Sequence, residues 1–246
     1  MATAFVTGAS YGVGAATALA LARQGYAVAL SATRAKNLDA VLAQLERAGA
    51  RAVPVVLDLR AHESIAEAFA QVVAAFGTLD VLVNNAGANL RKRAVDVTPA
   101  EWDDVIGANV TGTFFLSQEF GRHLIAGGRP GALVNIASTH GIVGAAERST
   151  YGISKAAIIH MTKMLAIEWA EHGIRVNAIA PGRLDTASPS RQDADPAYMQ
   201  AMLRRIPLHR LATAEEVAEA ACYLAGPQAA SITGHTLVLD GGLLSA

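Results

Sequence analysis

Thr7-Gly8-Ala9-Ser10-Tyr11-Gly12-Val13-Gly14 separates a short apolar run, Met1–Thr7, from an Ala/Leu-rich stretch with helical spacing, Gly12–Gln24. A strand that turns through glycines directly into a helix allows a phosphate to approach the backbone. The helix N-terminus behind it then presents N–H groups and the positive end of its dipole. The spacing is G-x-x-x-G-x-G, not the commoner G-x-G-x-x-G. Tight packing alone can produce a glycine-rich turn. A position at the first strand-to-helix junction of an alternating chain favours the phosphate reading.

The alternation continues outward from that turn. Strands are expected at Ala27–Ser31, Ala52–Leu57, Leu79–Val83, Ala132–Ala137, Arg175–Ile179 and Thr236–Leu239. Helices are expected at Asn37–Ala48, Ser64–Phe76, Pro99 to about Ile125, within Ser149–Gly173, and at Glu215–Leu224 with Thr213 as N-cap. Strand and helix in strict turn argue a parallel sheet covered by helices on both faces. The one long irregular stretch, Gly182–Pro196, is rich in Pro, Ser and Asp, and a loop of that length is expected to be functional.

Composition sets outer limits. The chain has 246 residues, 52% hydrophobic and 17% charged, with net charge -1, enough apolar material for one large core. No global basic footprint points to nucleic acid, and the densest basic run, Arg91-Lys92-Arg93, is too short for that role. No apolar run is long enough to span a membrane, and the N-terminus lacks the pattern of a signal peptide, so a cytoplasmic protein is expected. The single cysteine, Cys222, reads as a core thiol, and the seven histidines show no metal-ligand spacing.

The chemistry-bearing residues gather where strands end. The second strand ends Leu30-Ser31-Ala32-Thr33-Arg34, with no carboxylate for a ribose 2′-hydroxyl. Arg34 with the small hydroxyls Ser31 and Thr33 suits a 2′-phosphate instead, which favours NADP over NAD. Asp58, just after the third strand, is placed to accept from an adenine amino group. Asn84-Asn85-Ala86-Gly87 closes the fourth strand, where amide side chains suit stitching neighbouring strands beside a ligand. Ser138 follows the fifth strand. Asn109 lies mid-helix, where Asn is poorly favoured, and predicts a kink or a water site. Tyr151 and Lys155 are four residues apart on a predicted helix and so share a face. A cation beside a phenol favours the phenolate, making a proton donor and acceptor usable near neutral pH.

In this order and at this spacing the residues resemble the short-chain dehydrogenase/reductase family over essentially the whole chain. The resemblance rests on TGASYGVG, Asp58, NNAG at 84–87, Asn109, Ser138, the Tyr151/Lys155 pair, PGRLDT at 181–186 and ITGHTLVLDGG at 232–242. It implies one domain, 1–246, of Rossmann type: a doubly wound seven-stranded parallel sheet in the α/β class. It implies a nicotinamide cofactor, NADP with NAD as the alternative, and a homotetramer. Tyr151 would be the general acid/base. Lys155 would lower its pKa and bind the nicotinamide ribose, Ser138 would orient the substrate oxygen, and Asn109 would hold a relay water. Cofactor contacts would come from Gly8, Ser10, Tyr11, Gly12, Val13, Gly14, Thr33, Arg34, Asp58, Leu59, Asn85, Ala86, Gly87, Tyr151, Lys155, Pro181, Gly182, Leu184 and Thr186. Tyr11 stands where many NADP-preferring members carry a basic residue.

The substrate pocket is expected from three segments: the residues after Gly87, those between Ser138 and Tyr151, and a lid at about 183–210. Arg91, Arg93, His140 and Arg148 are the candidate substrate contacts, and Arg183, Asp185, Ser188, Ser190 and Arg191 add polarity in the lid. These suit a small hydroxylated or anionic molecule such as a sugar acid or polyol, with Arg91 or Arg93 as a carboxylate fork. The alternatives are a 3-oxoacyl-carrier-protein reductase, whose arginines would meet an acidic carrier, and a non-catalytic cofactor-binding regulator. No metal, nucleic acid or membrane partner is expected.

Overall fold

All four residues of β1 (Thr3–Val6) are buried, as a strand at the centre of a sheet covered on both faces requires. The computed structural model describes residues 1–185 and 195–245. After β1 come α1 (Gly12–Arg23), β2 (Ala27–Ala32), α2 (Asp39–Arg47), β3 (Ala52–Val56), α3 (His62–Phe76), β4 (Val81–Asn84) and α4 (Pro99–Ile106). Then follow α5 (Thr113–Ala126), β5 (Gly131–Ile136), α6 (Ser149–Trp169), β6 (Ile174–Pro181), α7 (Pro196–Arg205), α8 (Ala214–Ala225) and β7 (Thr236–Leu239). The seven strands form one sheet in the order β3-β2-β1-β4-β5-β6-β7. Every pairing is parallel, with Val6 beside Leu30 on one side and Val83 on the other. The expected Rossmann-type doubly wound α/β fold is therefore present.

The two faces carry separate cores. Leu21, Leu30 and Leu45 pack with Val217 and Leu224 beneath α1, α2 and α8. Phe5, Leu82, Leu133, Phe120 and Trp169 pack beneath α3, α5 and α6. Full burial of each such side chain stabilises by about 1.5–3 kcal/mol, which is why register is uniform across the sheet.

Three departures from the expected elements have physical causes. The helix expected from Pro99 to Ile125 is two helices joined by a π-helical turn, Gly107–Gly112. Gly112 packs so closely on the Leu59 backbone that a Cβ would collide with it. Local periodicity cannot report that contact. The stretch expected to be irregular up to Pro196 gives way to α7, capped by Asp195, whose carboxylate accepts from the Ala197 N–H at 2.9 Å. Its Pro at the first position marks a helix start as well as a loop end. Strand boundaries shift by one or two residues, and β6 runs on to Pro181. The expected N-cap at Thr213 is present, with Glu216 completing a capping box.

Candidate active site

The strand order reverses between β1 and β4, and the carboxyl ends of these strands open the crevice where ligands bind in such sheets. Asn85 locks the two ends together. Its Nδ2 donates to Thr7 O and Gly8 O, both at 2.9 Å, and its backbone N–H donates to Thr7 Oγ1 at 3.0 Å. Gly8 has φ +63 and Gly12 φ +58, so both occupy the left-handed region that favours glycine. A Cβ on Gly12 would enter open space, and α1 has no side-chain N-cap at Tyr11. The first-turn N–H groups of α1 thus border an open cradle with no side chain to satisfy them. That donor set fits a pyrophosphate. Val13 packs partly into the core and Ser10 is half-buried, so these offer backbone rather than charge.

Below the crevice runs a buried polar ladder. Asn84 Nδ2 donates to Ser117 Oγ and Asn135 Oδ1, and Asn135 Nδ2 donates to Thr162 Oγ1, each at 2.9 Å. It ties α5, β4, β5 and α6 together beneath the reactive residues and matches the strand-stitching expected of the paired asparagines.

Ser138, Tyr151 and Lys155 converge above it. Ser138 caps a 3₁₀ turn, Thr139–Gly141, with its Oγ accepting from the His140 N–H at 3.2 Å. This turn presses on α6 through two glycines. A Cβ on Gly141 would strike the Lys155 backbone, and one on Gly152 would strike His140 O. Lys155 is buried, and its ammonium donates to Ile136 O at 2.7 Å. Burial pulls that ammonium down to about 8. Burial also pushes the Tyr151 phenol above its ordinary value, against a hydrogen bond with Ser138 and the Arg148 charge, which both lower it. The lowering expected from Lys155 is therefore corrected. Its ammonium lies 5.7 Å from the Tyr151 ring centroid and is turned to a carbonyl, so burial dominates. Arg148, whose guanidinium is 6.0 Å from the same ring, is the nearby cation that opposes the shift.

Asn109 sits in the π-turn, a device frequent at functional sites. Its Oδ1 accepts from the Ala88 N–H at 2.6 Å, and its Nδ2 donates to Ala88 O and Ser154 Oγ, each at 2.9 Å. Both amide hydrogens are used on protein groups. Of the two expectations for Asn109, the altered helix is what the fold shows, and the side chain fastens the segment after Gly87 to α6.

The three segments expected to form the pocket are brought together around Arg148. Arg148 Nη1 donates to Asn89 Oδ1 at 2.6 Å, Arg91 Nε pairs with Glu147 Oε2 at 2.8 Å, and the Lys92 N–H donates to Glu147 O at 2.9 Å. Glu147 is one of two non-glycine residues with positive φ (62°) among those described. Arg183, from the loop after β6, donates to the Tyr198 hydroxyl of α7 at 3.4 Å and stacks over that ring at 5.5 Å. Burial first, then the charges of Arg91 and Arg183, hold Arg148 below its ordinary value. Arg93 does not join this cluster. It is mostly exposed and pairs with Asp96, three residues away. Its local partner on a surface turn makes it a poor carboxylate fork. His140 does join: its ring meets Tyr151 edge-on with centroids 6.2 Å apart. Thr186, Ser188, Ser190 and Arg191 lie outside the described residues.

A family model described as enoyl-(acyl carrier protein) reductase matches residues 8–244. The cis-4-hydroxycyclohexanecarboxylate dehydrogenase of Sinomonas cyclohexanicum is 41% identical over 240 residues, 97% of this chain and 95% of that one. The gluconate 5-dehydrogenase of Gluconobacter oxydans is 34% identical over 242 residues, 98% and 94% of the two chains. A crystal structure of a Burkholderia cenocepacia gluconate 5-dehydrogenase in complex with NADP and tartrate superposes with TM-score 0.94 at 30% identity, covering 100% of this chain and 96% of that one.

The chain belongs to the short-chain dehydrogenase/reductase family.

As a member of that family it is an NAD(P)-dependent oxidoreductase interconverting a secondary alcohol and a ketone. The adenosine end of this dehydrogenase differs in part from expectation. Asp58 is engaged by Arg60 through both oxygens, Nε to Oδ1 and Nη2 to Oδ2, each at 2.9 Å, and Arg60 also reaches Asp104. An adenine amino group would have to share Asp58 with that ion pair. Leu59 is buried in the core, so only its backbone can face a ligand. Ser31 is buried with its Oγ accepting from the Gly8 N–H at 3.4 Å, which reserves it for the glycine turn. Thr33 and Arg34 are exposed, and Arg34 makes no ion pair among the described residues. Ala86 packs on the core, Leu184 forms a bridge with Ala212, and Gly182 donates to Leu239 O at 2.9 Å, so these residues shape the wall of the crevice.

Sequence reasoning missed Ser154, Gly141, Gly152 and the Tyr198 partner of Arg183. Only Ser154, one residue before Lys155, carried a positional hint.

Proposed function

We propose that this dehydrogenase oxidises the secondary hydroxyl of a small hydroxy acid, of the sugar-acid kind, with NADP as the preferred cofactor. The carrying observation is Arg148 beside Tyr151, with the charges of Arg91 and Arg183 close enough to be felt there. Guanidinium groups bind a carboxylate in a bidentate fork, and partial burial strengthens each bond. The two relatives named for carboxylic acids, and the tartrate bound to the Burkholderia enzyme, support the same reading.

In the proposed mechanism Ser138 Oγ holds the substrate oxygen, and Tyr151 Oη takes the hydroxyl proton as the carbon gives up its hydride, or returns it in reduction. NADP, when bound, accepts or supplies that hydride. Gly8, Gly12, Gly14 and the first turn of α1 would hold its pyrophosphate, Lys155 the nicotinamide ribose, and Thr33 and Arg34 the 2′-phosphate. Asn109 would keep the segment after Gly87 in register with α6 and support a relay water. Residues 183–210 would act as the lid.

Replacing Arg148 with Leu is expected to raise KM for D-gluconate at least ~10-fold while kcat changes little, the pattern of lost uniform binding. An unchanged KM would remove the carboxylate from the reading. The same assay run with both cofactors is expected to give a higher kcat/KM with NADPH than with NADH, since no carboxylate stands at Ala32–Arg34. The acyl-carrier alternative needs exposed uncompensated cations for an acidic partner. Arg91 and Arg93 are held by Glu147 and Asp96, whereas Arg204 and Arg205 on α7 are exposed with no ion pair among the described residues, so a 3-oxoacyl thioester stays the second substrate to assay.

A homotetramer in the cytoplasm completes the proposal. Phe114 on α5 and Ile153, Met164 and Ile167 on α6 are exposed, Ile167 by 76%, as are Tyr223 on α8 and Val238 on β7. Two separate apolar faces suit two kinds of subunit contact. No helix of the described residues is long and apolar enough to cross a membrane. A solution mass of one 25.5 kDa chain would contradict the assembly.

A further inference from the structure

Arg60 takes no part in the proton chemistry or in the arginine cluster, yet it stands at the adenosine end of the crevice. β2 and β3 run parallel with Ala32 opposite Val56, and the Leu57 N–H donates to Ala32 O at 3.0 Å. Arg34 and Asp58 each follow that last pair by two residues, so a cation and a carboxylate leave neighbouring strand ends at one level. They do not pair. Arg34 is exposed and, like the exposed Lys36, makes no ion pair among the described residues. Asp58 is held by Arg60 instead. Its Oδ1 accepts from the Arg60 backbone N–H at 3.0 Å and from Nε at 2.9 Å, and its Oδ2 accepts from Nη2 at 2.9 Å. Nη1 donates to Asp104 of α4 at 2.6 Å, which fixes the guanidinium on a second element. The hydrogen bond from Arg60 keeps the Asp58 carboxyl below its ordinary value, so the group is a carboxylate at neutral pH. Stability does not explain the pair, because its side chains are 49% and 40% exposed and exposed pairs add little.

We propose that Arg60 is a positioning residue for cofactor choice: by holding Asp58 on both oxygens it keeps Arg34 open to the 2′-phosphate of NADP. This rests on the NADP reading and extends it to a residue outside the phosphate contacts themselves. A planar fork on a carboxylate satisfies its oxygens and offsets its charge at short range. Without Arg60, Asp58 would either pair with Arg34 or face the phosphate uncompensated, and it would offer an acceptor to the 2′-hydroxyl of NAD. Each of these lowers the preference for NADP.

The test is the equilibrium binding of NADPH and of NADH to the full chain at low ionic strength, each followed by its fluorescence. The wild type is expected to bind NADPH at least ~10-fold more tightly than NADH. Arg60→Met is expected to lower that ratio at least ~5-fold, chiefly through weaker NADPH binding, and to melt within about 2 °C of the wild type. Arg60→Lys keeps the charge without the fork and is expected to fall between the two. Adding Asp58→Asn to Arg60→Met removes the released charge and is expected to return the ratio to within about twofold of the wild type. Any contact of Asp58 with the adenine base is common to both cofactors and cancels in the ratio. A ratio that Arg60→Met leaves unchanged, or an equal loss for both cofactors, would make Arg60 a surface support and overturn the proposal. So would a lowered ratio that Asp58→Asn does not restore, because Arg60 would then act on the phosphate directly and not through Asp58. Tighter binding of NADH by the wild type would remove the NADP reading and this proposal with it, whereas a wild-type preference for NADPH that survives Arg60→Met would remove this proposal alone.

Discussion

Tyr151→Phe is expected to lower kcat by about 10³-fold, close to 4 kcal/mol of transition-state stabilisation, because it removes the hydroxyl proposed to exchange a proton with the substrate. The phenyl ring keeps its edge contact with His140 and its place near Arg148, so the fold around it has no reason to change. The glycine turn and Lys155 are untouched. Binding of NADPH, followed by its fluorescence, should therefore stay within about threefold of the wild type. A pH profile adds a sign. Burial holds the phenol above its ordinary value, and alcohol oxidation needs the phenolate, so the wild-type oxidation rate should rise with pH through the neutral range. The residual rate of the variant should lose that slope. A variant that turns over at the wild-type rate would refute the proton-transfer role.

The second large effect is expected from Gly14→Ala. A Cβ there would collide with Gly8 O and come within 2.5 Å of Asn85 Nδ2 and 2.9 Å of Ala9 Cα. Two of these are backbone atoms of the glycine turn, which cannot move without changing the cradle. The third is the amide that fastens β1 to β4. Overpacking of this kind costs about 1–3 kcal/mol, and the distortion falls on the phosphate cradle itself. The variant is expected to melt several degrees lower and to bind NADPH at least ~100-fold more weakly. Wild-type affinity in a destabilised variant would show that the turn supports the fold without holding the cofactor. Gly12→Ala is a useful contrast. A Cβ there meets nothing within 4 Å, so any loss would come from its left-handed backbone and from the open cradle rather than from packing.

The two side chains proposed to carry the proton chemistry illustrate what was legible in advance. Tyr151 and Lys155 share a face because four residues nearly complete a helical turn, and that holds in α6 as it would in an isolated helix. Their electrostatics were not legible. The direction of the Tyr151 shift depends on how much protein covers the phenol and on which way the Lys155 ammonium turns, and both are set by β5 and the turn after it. Asn109 is similar: its weak helix propensity marked a disturbance, but the π-turn and the close approach of Gly112 to Leu59, 53 positions away in the chain, are visible only in the fold. Arg91 and Arg93 looked equivalent as sequence. One has a partner across the site and the other a partner three residues along the same turn.

The sequence by itself determined the alternation of strands and helices, the parallel sheet and the glycine turn, and it named the residues proposed to react. Those rest on periods of two and 3.6 residues and on backbone freedoms that act over a few neighbours. Tertiary structure alone decided the rest. It set which charges surround Tyr151, brought Asp104 to the Arg60 that holds Asp58, fastened Asn109 to Ala88 and Ser154, and left His140 Nδ1 without a partner. Burial and side-chain pairing depend on residues distant in the chain, and a field or a hydrogen bond exists only once the sheet has brought them together.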